Sequence, residues 1–184
     1  SGMIAPNMAI MLAFLTTDAA ISKPLLRRAL REVVNRTFNC VTVDGDMSTN
    51  DTVALFANGA AGNAPIRVAD GRFAAFREGL LAVCETLSKM LAADGEGATK
   101  LVEALVTGGR TGEESRAVAR AIANSPLVKC ALHGCDPNWG RIICAAGHSG
   151  AEVEAEKMRL RVNGTELFRY GVPTRIPEAR KAAA

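Results

Sequence analysis

Ser1-Gly2-Met3-Ile4-Ala5-Pro6-Asn7-Met8-Ala9-Ile10-Met11-Leu12-Ala13-Phe14-Leu15-Thr16-Thr17-Asp18 opens the chain and has two halves with different physics. Gly2, Pro6 and Asn7 belong to a tight turn, where Gly relaxes the backbone, Pro presets φ and Asn bonds its own main chain. Met8 to Leu15 is apolar without interruption. A run this short, bounded by turn residues, predicts a strand buried on both faces. Thr16, Thr17 and Asp18 return the chain to water.

Outward from that strand, helices and strands are mixed. Ser22 and Pro24 are placed to start a helix, with Ser22 as cap and Pro24 in the first turn, where its missing N–H does no harm. Leu25, Leu26, Ala29, Leu30, Val33 and Val34 recur at helical spacing, leaving Arg27, Arg28, Arg31 and Glu32 for a solvated face. Cys40–Val43 and Val53–Ala57 read as strands. Asp70 caps a long helix whose stripe is Phe73, Phe76, Leu80, Val83, Leu87 and Leu91, ending near Asp94-Gly95. Leu101–Thr107 reads as a strand. Thr111 and Glu114 have the spacing of a capping box for a helix that ends at Asn124-Ser125-Pro126. Leu127–Leu132 reads as a strand and Trp139–Ala146 as a helix. Asp136-Pro137-Asn138 makes the turn between them, and Trp139 is expected to be buried. Asn163-Gly164 between Met158–Val162 and Glu166–Phe168 is a hairpin signal. The pattern predicts an α+β fold in one domain spanning residues 1–184.

Composition narrows the function. A net charge of +3 and an aromatic share of 4% offer neither the basic patch nor the stacking platform of a nucleic-acid binder. No apolar run reaches the length of a membrane span, and the start lacks the pattern of a secretory signal. Five cysteines, Cys40, Cys84, Cys130, Cys135 and Cys144, contain no CxxC pair. An odd count favours free thiols and a reducing cytoplasm over a disulfide framework, with the cysteines packing as small hydrophobes. Cys130, His133, Cys135, Cys144 and His148 contain enough ligands for tetrahedral zinc, yet their gaps fit no common ribbon or finger. Asp44, Asp46 and Asp51 lack the glutamate of a calcium loop and read as turn caps. No metal and no cofactor are expected.

The opening words MIAPNMA, ML and TTDA resemble the ornithine acetyltransferase (glutamate N-acetyltransferase) family of arginine biosynthesis. The same order of matches continues through Val43–Thr52 (VDGDMSTNDT), Asp94–Lys100 (DGEGATK), Asn124–Lys129 (NSPLVK) and Asp136–Arg141 (DPNWGR), and so covers nearly the whole chain. The resemblance implies an α/β fold of the N-terminal-nucleophile kind, a layered sandwich of sheets between helices. It implies a longer natural chain, of which this is the nucleophile-bearing half, incomplete at both ends. The implied partner is the N-terminal subunit, in a hetero-oligomer, and its segment supplies the oxyanion hole. The implied substrates are N-acetylornithine and glutamate, with acetyl-CoA as a further candidate donor.

In that family the precursor cuts itself between the Ala of NMA and a following Thr, which becomes the N-terminal nucleophile. Here the cut falls between Ala9 and Ile10, and Ile10 has no hydroxyl. Loss of a nucleophile costs about 10⁴- to 10⁶-fold in rate. Thr16 is no substitute, because at roughly 3.3 Å per residue it lies about 20 Å along the strand. The resemblance assigns Glu96 to substrate binding, as acceptor for the substrate ammonium; by pattern alone Glu96 is a solvated turn residue between Gly95 and Gly97. Two functions follow: an acetyltransferase whose nucleophile position holds Ile10, or a non-catalytic binding or assembly subunit of the same fold.

Overall fold

The computed structural model describes residues 11–46, 50–95 and 97–175. These form two compact units, Ser1–Leu101 and Val102–Ala184, where the sequence reads as one domain.

The first unit is built on a parallel pair, β1 (Leu12–Thr17) and β2 (Thr52–Ala57), in register from Leu12 opposite Thr52 to Thr17 opposite Ala57. Parallel strands need a long crossover. It is supplied by α1 (Lys23–Val34) and a 3₁₀ turn at Phe38–Cys40. The helix α2 (Gly71–Ala93) follows and packs on α1. One face of the strand pair carries Leu15, Val53 and Leu55 into a core with Ala29, Val33, Phe38, Phe73, Leu80 and Cys84. The opposite face is uncovered: Leu12 is 62% exposed, Phe14 65% and Phe56 58%. The expectation of a strand buried on both faces is therefore corrected. Alternating side chains place one row on the helices, and nothing among the described residues covers the other.

Capping follows the sequence in part. Asp70 accepts the N–H groups of Arg72 and Phe73 at 3.0 and 3.3 Å. Ser22 stands at the N-cap of α1 without a side-chain capping bond; its own N–H donates to the Ile66 carbonyl at 2.9 Å. Within α2 the buried line runs through Phe73, Leu80, Cys84 and Ser88, and Val83 turns outward. Cys40–Val43 is not a strand. The 3₁₀ turn takes up Cys40, and no neighbouring strand among the described residues offers pairing.

The second unit holds α3 (Gly112–Asn124), α4 (Pro126–His133) and α5 (Trp139–Gly147), and a meander of β3 (Arg159–Val162), β4 (Thr165–Arg169) and β5 (Val172–Pro173). Thr111 Oγ1 accepts the Glu114 N–H at 3.1 Å, half of the expected box. Glu114 turns instead to the Arg110 N–H and guanidinium. The strand expected at Leu127–Leu132 is α4, because Ser125 caps it through the Val128 N–H and Pro126 starts it. Leu101–Thr107 forms no strand, and Leu101, Val102 and Leu105 are exposed.

Asn138 caps α5 through the Arg141 N–H at 3.2 Å and donates to Asp136 at 3.0 Å, so the Asp-Pro-Asn turn is tied as its residues suggest. Trp139 is not buried: it stacks on Phe168 with ring centroids 5.2 Å apart and remains 36% exposed. Asn163 (φ 46°) and Gly164 (φ 80°) make the two-residue turn from β3 to β4. Tyr170 (φ 51°) and Gly171 (φ 86°) repeat it from β4 to β5. The Arg159 guanidinium bonds the Tyr170 hydroxyl and, with Arg169 beside it, holds that phenol below its usual range. Among the described residues no helix is long and apolar enough to cross a membrane.

Candidate functional site

Ala9, Ile10 and Glu96 lie outside the described residues. What the structure places is the main chain that follows Ile10 and the main chain that flanks Glu96. Met11 follows Ile10 directly and is 5% exposed, its side chain in the core of the first unit. Both of its backbone polar groups are held by the start of β2. The Met11 N–H donates to Asp51 Oδ1, and the Met11 carbonyl accepts from the Thr52 N–H at 2.8 Å. A carboxylate thus stands where a strand ladder ordinarily offers a carbonyl. Hydrogen bonds to an ionised acceptor are roughly twice as strong as neutral ones.

The other oxygen, Asp51 Oδ2, is sealed from solvent and has no partner among the described residues. A buried acceptor without a donor costs about 1–3 kcal/mol. Asp51 read in sequence as a turn cap together with Asp44 and Asp46. The structure separates them: Asp44 Oδ1 accepts the Asp46 N–H at 2.9 Å in a local turn, while Asp51 reaches back to residue 11.

Asp51 and Met11 line an open cleft of about 440 Å³ with Arg27, Arg31, Phe38 and Asn39. Two of the arginines assigned to a solvated face therefore border this cleft. The third, Arg28, pairs with Glu32 at 2.7 Å and lies 5.4 Å over the Phe73 ring. Arg77 of α2 reaches Glu32 at 3.0 Å. The hydrogen bonds from Arg28 and then Arg77 hold the Glu32 carboxyl below the ordinary carboxylate range.

On the far side of Glu96, the turn after α2 is closed by the Ala98 N–H on the Gly95 carbonyl at 2.9 Å, and Gly97 has φ 70°. A residue with a β-carbon rarely adopts that conformation, so Gly97 shapes the turn in which Glu96 sits in sequence.

The cysteines differ from expectation. Cys84 alone is buried, and burial pushes its thiol pKa up; Cys40, Cys130, Cys135 and Cys144 are exposed. Cys144 Sγ and His148 Nδ1 are 3.7 Å apart across one helical turn. Among the described residues no three His, Cys, Asp or Glu side chains gather as a metal ion needs.

Comparison with known proteins places this arrangement. The model of the ArgJ family matches residues 1–184. The chain is 49% identical over 182 residues to an arginine biosynthesis bifunctional protein ArgJ of Symbiobacterium thermophilum, covering 99% of this chain and 45% of that protein. It is 54% identical over 172 residues to the protein of the same description from Thermus thermophilus, covering 94% and 43%. It therefore spans less than half the length of the curated relatives it matches. The crystal structure of arginine biosynthesis bifunctional protein ArgJ from Bacillus halodurans is similar at a TM-score of 0.91 and 45% identity, over 95% of this chain and 82% of that one.

Proposed function

The chain belongs to the ArgJ family over its whole length, and from that premise we propose that it is the nucleophile-bearing half of a glutamate N-acetyltransferase of arginine biosynthesis, with position 10 at the nucleophile. The reaction begins with a Thr hydroxyl at that position attacking the Ala9 carbonyl. The acyl group shifts from nitrogen to oxygen, and water releases it, leaving a free α-amino group on residue 10. That amine then takes the proton from the same hydroxyl as it attacks the acetyl group of N-acetylornithine. Ornithine leaves, and the amino group of glutamate collects the acetyl from the enzyme. Glu96 receives the substrate ammonium. The setting is cytoplasmic, in keeping with four exposed free cysteines.

The observation that carries this reading is the family match over residues 1–184, together with the grip on the residue 11 peptide. The lengths are in keeping with a divided chain. This chain fills 82% of the Bacillus halodurans chain but only 45% of the Symbiobacterium protein. The uncovered face of β1 and β2, with Leu12, Phe14 and Phe56, supports a partner segment that the longer relatives carry.

Ile10 favours a second reading, a non-catalytic binding or assembly subunit. With Ile10 in place, neither self-cleavage nor an acetyl-enzyme can form. An acetyl-transfer assay on the full-length Ile10 protein and its Ile10→Thr variant separates the two. The first reading expects transfer from N-acetylornithine to glutamate by Ile10→Thr alone, and a raised substrate requirement when Glu96→Ala is added. A folded, inactive Ile10→Thr protein favours the subunit.

A further inference from the structure

We infer that the open cleft beside α1 is a binding site for a small monocarboxylate with an apolar body and no ammonium group. The site stands apart from the reaction proposed above and is built from described residues of the first unit.

Charge selects an anion. Arg27 and Arg31 lie one helical turn apart on α1, and both line the cleft. Neither has a hydrogen-bonding or ionic partner among the described residues. Other arginines of the same unit do: Arg28 and Arg77 meet Glu32, and Arg72 meets Asp70. Like charges at this spacing repel, with about 5–6 Å between β-carbons. An anion held between them removes that repulsion, and the guanidinium fork matches the two oxygens of a carboxylate.

The described carboxylate in the cleft limits the ligand further. Asp51 offsets one of the two guanidinium charges, which leaves a place for one negative charge. Its own oxygens are not on offer to a cation: Oδ1 holds the Met11 N–H, and Oδ2 is sealed from solvent. An ammonium group entering the cleft meets two cations and no carboxylate oxygen that is both open and unengaged. Specificity of this kind comes from what the site leaves unpaired in the wrong ligand.

The wall supplies the rest. Leu30, Val34, Phe38 and Val53 give the cleft an apolar side. Leu30 stands three residues after Arg27, and Val34 three after Arg31, so each guanidinium has an apolar neighbour on the helix surface. A carboxylate gripped by the arginines lays its carbon chain along Leu30 and Val34. The volume of about 440 Å³ falls within the range of small-molecule sites, about 300–1,000 Å³. Inorganic phosphate shares the charge and gains nothing from the wall. The class that fits is the carboxylate left when an apolar amino acid is deaminated or N-acylated.

The test adds hexanoate to the full-length protein and follows binding by isothermal titration calorimetry. Norleucine, the 2-amino derivative, differs by the ammonium alone, and inorganic phosphate lacks the apolar body. Hexanoate should bind saturably with a Kd on the order of 1 mM, and at least about 10-fold more tightly than either of the others. Binding should weaken as salt rises, because both guanidinium groups are exposed. Arg27→Gln with Arg31→Gln should weaken it by roughly 10-fold. Gln is nearly as good a helix former as Arg, so the melting temperature should hold. Arg67→Gln removes the same charge from an exposed arginine of the same unit that does not line the cleft, and should leave the Kd unchanged.

Absence of saturable hexanoate binding up to about 10 mM overturns the inference. So does binding that survives the double substitution, or that falls as far in Arg67→Gln. Norleucine or phosphate binding as tightly as hexanoate overturns the ligand class. If the double variant fails to fold, the unaltered protein decides, through the three-ligand comparison and the NMR shifts of the arginine Nε–H groups. Shifts at Arg27 and Arg31 on adding hexanoate support the site, and shifts confined to other arginines overturn it.

Discussion

Leu12→Thr with Phe14→Thr tests the open face of the strand pair. These side chains are 62% and 65% exposed, on the side of β1 turned away from the core. Full burial of a Leu or Phe side chain contributes about 1.5–3 kcal/mol, so covering the exposed three-fifths recovers about 1–2 kcal/mol for each. Together they supply about 2–4 kcal/mol to any association through this face, or roughly 30- to 1,000-fold in Kd. Thr is β-branched and suits a strand, so the fold of the first unit should be retained. Leu15→Ala, one residue away on the core side and 7% exposed, should instead cost about 2–5 kcal/mol of stability. Sedimentation velocity over a concentration series is the assay. The 184-residue chain should self-associate as concentration rises, and the double variant should remain monomeric with a nearly unchanged melting temperature. A chain that stays monomeric throughout, or a double variant that associates like its parent, refutes the reasoning.

Thiol labelling under native conditions should modify Cys40, Cys130, Cys135 and Cys144, with Cys84 reacting only on unfolding, because it is fully buried and its thiol is disfavoured as thiolate; mass spectrometry of the labelled chain reads this directly. Glu32 is held ionised by Arg28 and Arg77, so its folded pKa lies below its unfolded one, and its contribution is present above the unfolded value and lost as pH falls through the folded one. The melting temperature should therefore drop from roughly pH 4.3 downward, less steeply in Glu32→Gln.

Elements with chemical punctuation were legible before the structure. Asp70 at the start of α2, Thr111 at the start of α3 and Asn163-Gly164 in the hairpin each carry a local reason for their conformation, and each stands where that reason puts it. Short apolar runs without such marks were not. Leu127–Leu132 has no period that separates strand from helix; the Ser125-Pro126 start was the available signal, the same device as at Ser22 and Pro24. Leu101–Thr107 and Cys40–Val43 have strand-like composition, but a strand is defined by its neighbour, and neither has one among the described residues.

The candidate site divides in the same way. Ala9, Ile10 and Glu96 were nominated by resemblance alone, since a glutamate between two glycines and an isoleucine in an apolar run carry no chemical signature. Asp51 was read as a local cap because its contact lies 40 residues away in sequence. Only the register of β1 against β2 brings that carboxylate to Met11. The exposed apolar face was foreseeable only from the length of the relatives, because the strand pattern by itself reads as buried on both sides.

The central claim, that residue 10 is the nucleophile position, is tested most directly by the intact mass of the purified full-length protein in its Ile10 and Ile10→Thr forms. Thr and Ile share a β-branch, so the backbone and χ1 preferences at position 10 should change little. The account predicts that Ile10 stays as one chain, while Ile10→Thr separates without added protease into two fragments whose masses place the break between Ala9 and residue 10. Cleavage of the Ile10 form at that bond, or a folded Ile10→Thr protein that remains whole, would contradict it.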